Sequence, residues 1–488
     1  EGRLLANSTF TGSGPAQPYL NYAMRGLINN APNDFVQKLR SEVKELKIDF
    51  FGDISNFVNL ERLDMSYNGA GKQTISYLKE FSVFEKLTSL SIHGEFIHTD
   101  QDLKGFLNLK GLTHLKLSIS LLSSGKNALP LKTLVGMENC SELQELSIDG
   151  CAKLIDVEGI NGCQKLKSIE LSEAKRLENL NGLKGLKSLK TININDAEAL
   201  DNLDGLKGCD SLEEIKIDGS NYSGNKKIKQ PIKNVDGLIG LKKLKDLNLS
   251  SFNSLKNVDG LKGCSDLSYL NISSDSLENI NGLKNLKALR GIQLDTVKLN
   301  NIDGLSGCEN LDDFNIQSKD IKNLNGLKGC DKLQELNIPS SAKSLNLDGL
   351  ASMNSLRVVN FRDCEIKSFD FTQKIPPITY ADIKSSNQIK SLEGIGNLIN
   401  LEKIIIKDCT NLENLKGIEN IKTLESVIIQ DCKSLKDVKA LLSLPKLKVF
   451  KMRSCGIKKE ELPGHLKVIV ETTISHMDED SYSFRDKK

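Results

Sequence analysis

Eleven cysteines, five histidines and one glycine-lysine turn are the parts of this chain whose types and spacing could do chemistry. Metal binding needs Cys and His donors that converge on a tetrahedron, usually announced by a Cys-x-x-Cys pair with a nearby His. The sequence has no such pair. Instead Cys140, Cys163, Cys209, Cys264, Cys308 and Cys330 each stand three residues before a leucine that opens an apolar triplet. Cys151, Cys364, Cys409, Cys432 and Cys455 each stand three residues after the end of one. Thiols at fixed slots of a pattern are packing residues first. Cys409, Cys432 and Cys455 could lie near disulfide distance, but parallel side-chain vectors disfavour bonding. The odd count, with no cysteine cluster at either end, points to a reducing compartment. The stretch Asn68-Gly-Ala-Gly71-Lys72-Gln73-Thr74 has the look of a phosphate loop. Its first glycine is replaced by Ser66 and its magnesium-binding hydroxyl by Gln73, so it reads as a turn. His93 and His114 are expected as neighbours on adjacent strands, without an obvious third metal ligand. No cysteine sits in a Cys-His catalytic constellation. These residues give no cofactor, no metal site and no enzyme.

What positions the cysteines is a repeated phrase. Leu189-Lys-Thr-Ile192-Asn-Ile194 is followed by Leu200-Asp-Asn202-Leu203-Asp-Gly205-Leu206 and then by Leu212-Glu-Glu-Ile215-Lys-Ile217. The opening apolar positions are Val43, Leu60, Leu87, Leu112, Leu143, Leu166, Leu189, Leu212, Leu244, Leu267, Leu289, Leu311, Leu333, Leu356, Ile375, Leu401, Leu424 and Leu447. Within Leu-x-Leu the side chains alternate, so the leucines face inward and the residues between them face outward. A unit this short cannot bury its own apolar face, and stability must come from stacked neighbours. The fold class is therefore an α/β solenoid: a right-handed leucine-rich repeat superhelix of about 18 repeats. It has a concave parallel β-sheet, short helical or 3-10 convex segments and a helical N-terminal cap. Gly182, Gly205, Gly237, Gly260, Gly282, Gly304 and Gly326 permit the turn or a close approach that a Cβ would obstruct. Asn179, Asn202, Asn234, Asn257, Asn279, Asn301 and Asn323 read as inward amides that satisfy backbone groups of their own and the next turn.

Residues 1–42 read as a flexible start and a helical N-terminal cap, with Asn33 capping the helix. Residues 43–462 form the repeat domain, and 463–488 a C-terminal cap and polar tail. The early repeats carry helix-like returns such as Thr74–Leu78, and Asp218–Lys233 is an insertion with a polar tip. Between 365 and 400 the pattern degrades, and Pro376-Pro377 inside the expected strand predicts a kink or an irregular strand. Lys plus Arg is 66 against 64 for Asp plus Glu, which gives no bulk attraction to nucleic acid or to an acidic membrane. No apolar run is long enough to span a bilayer. The chain begins at Glu1, consistent with a removed leader or a trimmed start.

From Val43 to Cys455 the residues resemble the leucine-rich repeat superfamily. Leu277-Glu-Asn-Ile280-Asn-Gly-Leu283 is similar to repeats of the internalins and of the protein phosphatase 1 regulatory-subunit type. Cys409-Thr-Asn-Leu412 and Cys432-Lys-Ser-Leu435 resemble cysteine-bearing repeats of plant immune receptors and F-box adaptors. The resemblance implies a curved, non-catalytic binding scaffold.

Two parts of the outward face are candidate contacts. The first is a column of amides that includes Asn248, Asn271, Asn315, Asn337 and Asn360, with Tyr269 as the aromatic among flanking acids. It suits a polar peptide, a basic partner or a sugar, although an exposed strand needs polar residues in any case. The second is Ile405 and Ile428, surrounded by Arg362, Lys403, Lys407 and Arg453. Outward apolar residues with a basic rim suit an acidic partner, the competing reading being cover by residues 466–488. The function that follows is a scaffold or regulatory subunit binding a protein partner on its concave face, in the cytoplasm. The alternative is a secreted or cell-surface, internalin-like recognition protein, and an enzyme is the remote third.

Overall fold

In a computed structural model the described residues are 44–48, 59–66, 81, 83–93, 102–118, 128–219, 231–318, 320–338, 345–366, 369, 375, 378–462, 464, 466 and 470–471. The N-terminal cap, the segment 68–74 with the expected helix-like return Thr74–Leu78, the insertion tip 220–230, Pro376-Pro377 and the tail beyond 471 lie outside them. The chain divides into two compact units. Unit 1 comprises Glu1–Ile232, Asp236–Leu244 and Asn248–Ser251, and unit 2 the remainder.

In unit 1, alternation of apolar and polar residues makes short strands. They are β1 (Glu45–Ile48), β2 (Arg62–Ser66), β3 (Ser89–His93), β4 (His114–Ser118), β5 (Glu145–Ile148), β6 (Ser168–Leu171), β7 (Thr191–Ile194) and β8 (Glu214–Asp218). Each pairs in parallel with the next, so that Leu146, Ile169, Ile192 and Ile215 stand in one row, all buried. β9 (Asp246–Ser250) is divided between the units. In unit 2, β10 (Tyr269–Ser274), β11 (Gly291–Thr296) and β12 (Asp313–Gln317) pair in parallel. A seven-stranded sheet follows, formed by β13 (Glu335–Ile338), β14 (Val358–Arg362), β15 (Tyr380–Lys384), β16 (Lys403–Lys407), β17 (Ser426–Gln430), β18 (Val449–Arg453) and β19 (Val470–Glu471). Its inward row runs Leu336, Val359, Ala381, Ile404, Val427 and Phe450. Burying one such aliphatic side chain stabilises by about 1.5–3 kcal/mol, which only a stacked neighbour makes available.

Every strand from β1 to β18 but one opens two residues after an apolar position singled out by the spacing. The exception corrects the sequence reading. β15 is regular and pairs with β14 and β16 over all five residues, and its opening apolar position is Ile378 rather than Ile375. Both prolines precede the strand, so no ladder donor is lost.

The return segments are 3-10 turns such as Asn181–Leu183, Asp204–Leu206 and Asp303–Leu305. A Cβ on Gly205 would lie 2.0 Å from the Leu180 carbonyl oxygen, and one on Gly182 2.0 Å from that of Val157. Close stacking of successive turns therefore demands glycine there. The asparagine column is a correction. These amides are not inward, but half-buried or, for Asn234, exposed. Their Oδ1 atoms accept from the backbone N–H two residues on: Asn179 from Asn181 (3.1 Å), Asn202 from Asp204 (2.9 Å) and Asn323 from Asn325 (3.0 Å). An Asx-type bond of this kind seats the 3-10 turn of its own repeat.

Candidate functional site

The chemistry of the cysteines follows from their position. All eleven are unbridged thiols, ten of them buried. A residue of positive φ precedes each of Cys151, Cys364, Cys409, Cys432 and Cys455, namely Gly150, Asp363, Asp408, Asp431 and Ser454, and turns the chain there. The thiols donate to backbone carbonyls of neighbouring repeats, as Cys151 does to Ser172 O (2.9 Å) and Cys163 to Met137 O (3.4 Å). Burial pushes the thiols of Cys140, Cys151, Cys163, Cys330, Cys364 and Cys455 up to about 12. The Cys432 thiol is likewise pushed up, by its hydrogen bond with the Cys409 sulfur and then by burial. A group held as the neutral thiol is a poor nucleophile and a poor metal ligand.

The two histidines are not neighbours. Register puts His93 opposite Ser118 and His114 opposite Ser89, four residues away, or roughly 13 Å along the strand. His93 Nδ1 is hydrogen-bonded with Ser118 Oγ (2.7 Å), and His114 Nε2 lies 3.8 Å from Glu145 Oε2. Among the described residues no group of three or more His, Cys, Asp or Glu is placed to hold a metal ion.

The outward face of unit 2 is the remaining candidate. In β10–β12, Tyr269, Gly291 and Asp313 form one row and Asn271, Gln293 and Asn315 the next. Tyr269 is 50% exposed. A Cβ on Gly291 would lie 2.7 Å from Tyr269 Cδ1 and 3.0 Å from Cε1, so the ring occupies the space above that glycine. Asn271 is half-buried, while Asn315 and Asn337 are exposed. Asn360 is buried at the edge of this region, where its Nδ2 donates to Asn337 Oδ1 (3.0 Å) and Glu335 Oε1 (2.9 Å). Asn248, in unit 1, is half-buried and its Oδ1 has no hydrogen-bond partner.

Farther along, the register gives Asn360, Asp382, Ile405 and Ile428 one row, with Val358, Tyr380 and Lys403 beside it. Ile405 and Ile428 do stand on outward positions, but the expected open patch is corrected. They are 6% and 4% exposed and form one buried cluster with Val358 and Tyr380. Lys403 Nζ extends over the Tyr380 ring, 5.7 Å from its centroid. Arg362 is exposed and donates through Nη2 to Asp382 Oδ2 (2.9 Å). Lys407 and Arg453 share the Arg362 row, with Lys384 between Arg362 and Lys407 and Gln430 between Lys407 and Arg453.

Sequence reasoning missed Tyr380 and Asp382 because the phase of that repeat was misplaced by its prolines. It also missed Gly291, whose signal was available: a glycine at an outward strand position, 22 residues after a tyrosine, where no turn calls for one.

A family model described as BspA type leucine-rich repeat region matches the chain in six copies, over residues 136–259, 241–357 and 354–478. No curated protein matches it. Among solved structures the chain is similar to an internalin (inlF) of Listeria monocytogenes, at 15% identity over 84% of this chain and 94% of that one, with a TM-score of 0.41. It is similar to a leucine-rich repeat protein of Leptospira interrogans, at 15% identity over 88% and 95%, with a TM-score of 0.40. A third is the functional domain of InlJ from Listeria monocytogenes, which includes a cysteine ladder (14% identity, 86% and 74%, TM-score 0.41). Likenesses this distant carry no argument about a ligand. The family model spans residues 136 to 478, most of the chain, and the protein belongs to the BspA-type leucine-rich repeat family.

Proposed function

We propose that this chain is a non-catalytic interaction scaffold that binds a protein partner on the outward face of its strands. The observation that carries the reading is the outward face of β10–β13, where the half-exposed Tyr269 stands beside the Asn271–Gln293–Asn315 row and Asn337 is exposed on β13. Inward leucines are consumed by stacking, and the turns are consumed by close contact between repeats, so outward positions are the ones left to vary. A tyrosine among amides supplies apolar area and hydrogen bonds at low entropic cost, the composition of protein-binding surfaces. The second candidate, Ile405 and Ile428 with Arg362, Lys403, Lys407 and Arg453, joins the contact through its basic rim, since its apolar centre is closed in the isolated chain.

The test is capture of a partner from the native source by the full chain and by a variant carrying Asn315→Arg and Asn337→Arg. Both positions are exposed, and circular dichroism checks that the variant keeps the fold, since Asn337 also accepts from the buried Asn360. A partner held by the parent and lost by the variant supports the reading. A partner held equally by both moves the site off this face.

A further inference from the structure

We infer that the outward face of β10–β13 takes a basic segment of the partner, with an arginine or lysine over the Tyr269 ring. The inference rests on the partner-binding reading and adds the chemistry of the partner. Charge on the outward strand positions of unit 2 is sorted across the end of one sheet and the start of the next. The outward positions of β10–β13 are Tyr269, Asn271, Ser273, Gly291, Gln293, Asp295, Asp313, Asn315, Gln317, Glu335 and Asn337, with three carboxylates and no Lys or Arg among them. The outward positions of β14–β18 carry the opposite balance: Arg362, Lys384, Lys403, Lys407, Lys451 and Arg453 against Asp382. A chain with 66 basic and 64 acidic residues has no overall excess to explain either half.

Tyr269 gives the acidic half its geometry. The ring is seated over Gly291, and half of the residue stays open to solvent. Asp313 lies on the next strand in the same row, and the exposed Asp295 lies four residues along β11 from Gly291. Arg290, beside the row, is already held by Asp312 at 3.0 Å. An aromatic face attracts a cation through its quadrupole, and carboxylates spread along the same face add attraction that falls with salt. A basic segment lying across the strands would place one side chain on the ring and others against Asp295, Asp313 and Glu335, with Asn271 and Asn315 left to bond its backbone.

The experiment uses the purified full chain and a fluorescent hexa-arginine peptide, followed by anisotropy at two salt concentrations. Hexa-glutamate and hexa-serine peptides serve as comparisons. Tyr269→Ala should weaken hexa-arginine binding about fivefold while Tyr269→Phe retains it, because the ring and not the hydroxyl holds the cation. Gly291→Val should weaken it similarly by displacing the ring. Asp295→Asn with Asp313→Asn should weaken it further and flatten the salt dependence. Removing two carboxylates that serve ion pairs elsewhere, by Asp210→Asn with Glu309→Gln, should change little. Absence of hexa-arginine binding, equal binding of the serine peptide, or equal weakening by the Asp210 and Glu309 pair overturns the inference. A protein partner captured by the parent while hexa-arginine fails to bind overturns the basic-segment assignment alone and leaves the scaffold reading standing.

Discussion

A thiol buried at a fixed slot makes the pH behaviour of this protein predictable. In the fold the Cys140, Cys151 and Cys163 thiols titrate at about 12, against a value of 9.0 when unperturbed. Deprotonation therefore favours the unfolded chain. The thiol contribution is intact below pH 9 and is lost as the pH rises from about 9 to about 12. Urea midpoints should accordingly hold between pH 7 and 8.5 and fall at pH 10. A thiol-reactive dye at pH 8 should label few sites in native protein and all eleven in denaturant. The asparagines behave differently. Asn202 seats one 3-10 turn by a single bond to the Asp204 N–H, so Asn202→Ala should cost about 1 kcal/mol in chemical denaturation. The slot of each cysteine could be read from spacing alone. The direction of each asparagine could not, because an amide that caps its own turn and one that faces the core occupy the same place in the phrase.

At the level of the strand and its return turn, leucines and glycines contribute for different reasons. Leu270 is buried in β10 between stacked neighbours, and Leu270→Ala should cost about 2–5 kcal/mol by calorimetry or urea unfolding. Gly205 and Gly185 make a sharper comparison. A Cβ on Gly205 meets the backbone of the preceding repeat at 2.0 Å, so Gly205→Ala forces successive turns apart and should cost about 3 kcal/mol or more. Gly185 has φ +77° and open space around it, so Gly185→Ala should cost only about 1 kcal/mol of backbone strain. Urea midpoints of the two variants, measured side by side, check the ranking. The sequence pattern identifies the first glycine column, since it recurs at one place in the phrase. It misplaced β15, where a second apolar residue, Ile375, stands three positions ahead of Ile378 and the intervening prolines imitate a broken strand.

For the molecule as a whole, the described strands bond to none but their neighbours in sequence, in two sheets that break between β12 and β13, and damage should stay local. Ile192→Ala in β7 should speed amide hydrogen exchange in β6 and β8 and leave β16–β18 as protected as before; equal acceleration in β16–β18 would refute local coupling. The sorting of charge into an acidic face on β10–β13 and a basic face on β14–β18 also belongs to this scale, because it exists only when outward positions from several repeats are set side by side. Sequence by itself determined the repeat, the inward leucines, the outward rows except at β15, and the placement of the thiols. Those depend on alternation and period, which are properties of the chain taken one repeat at a time. Only the tertiary structure decided that Ile405 and Ile428 are buried in one cluster with Val358 and Tyr380 while Tyr269 stays open over Gly291. Exposure is set by what lies on the adjacent strand and how far its side chain reaches, and that is a relation between residues about 22 positions apart, which the local pattern does not encode.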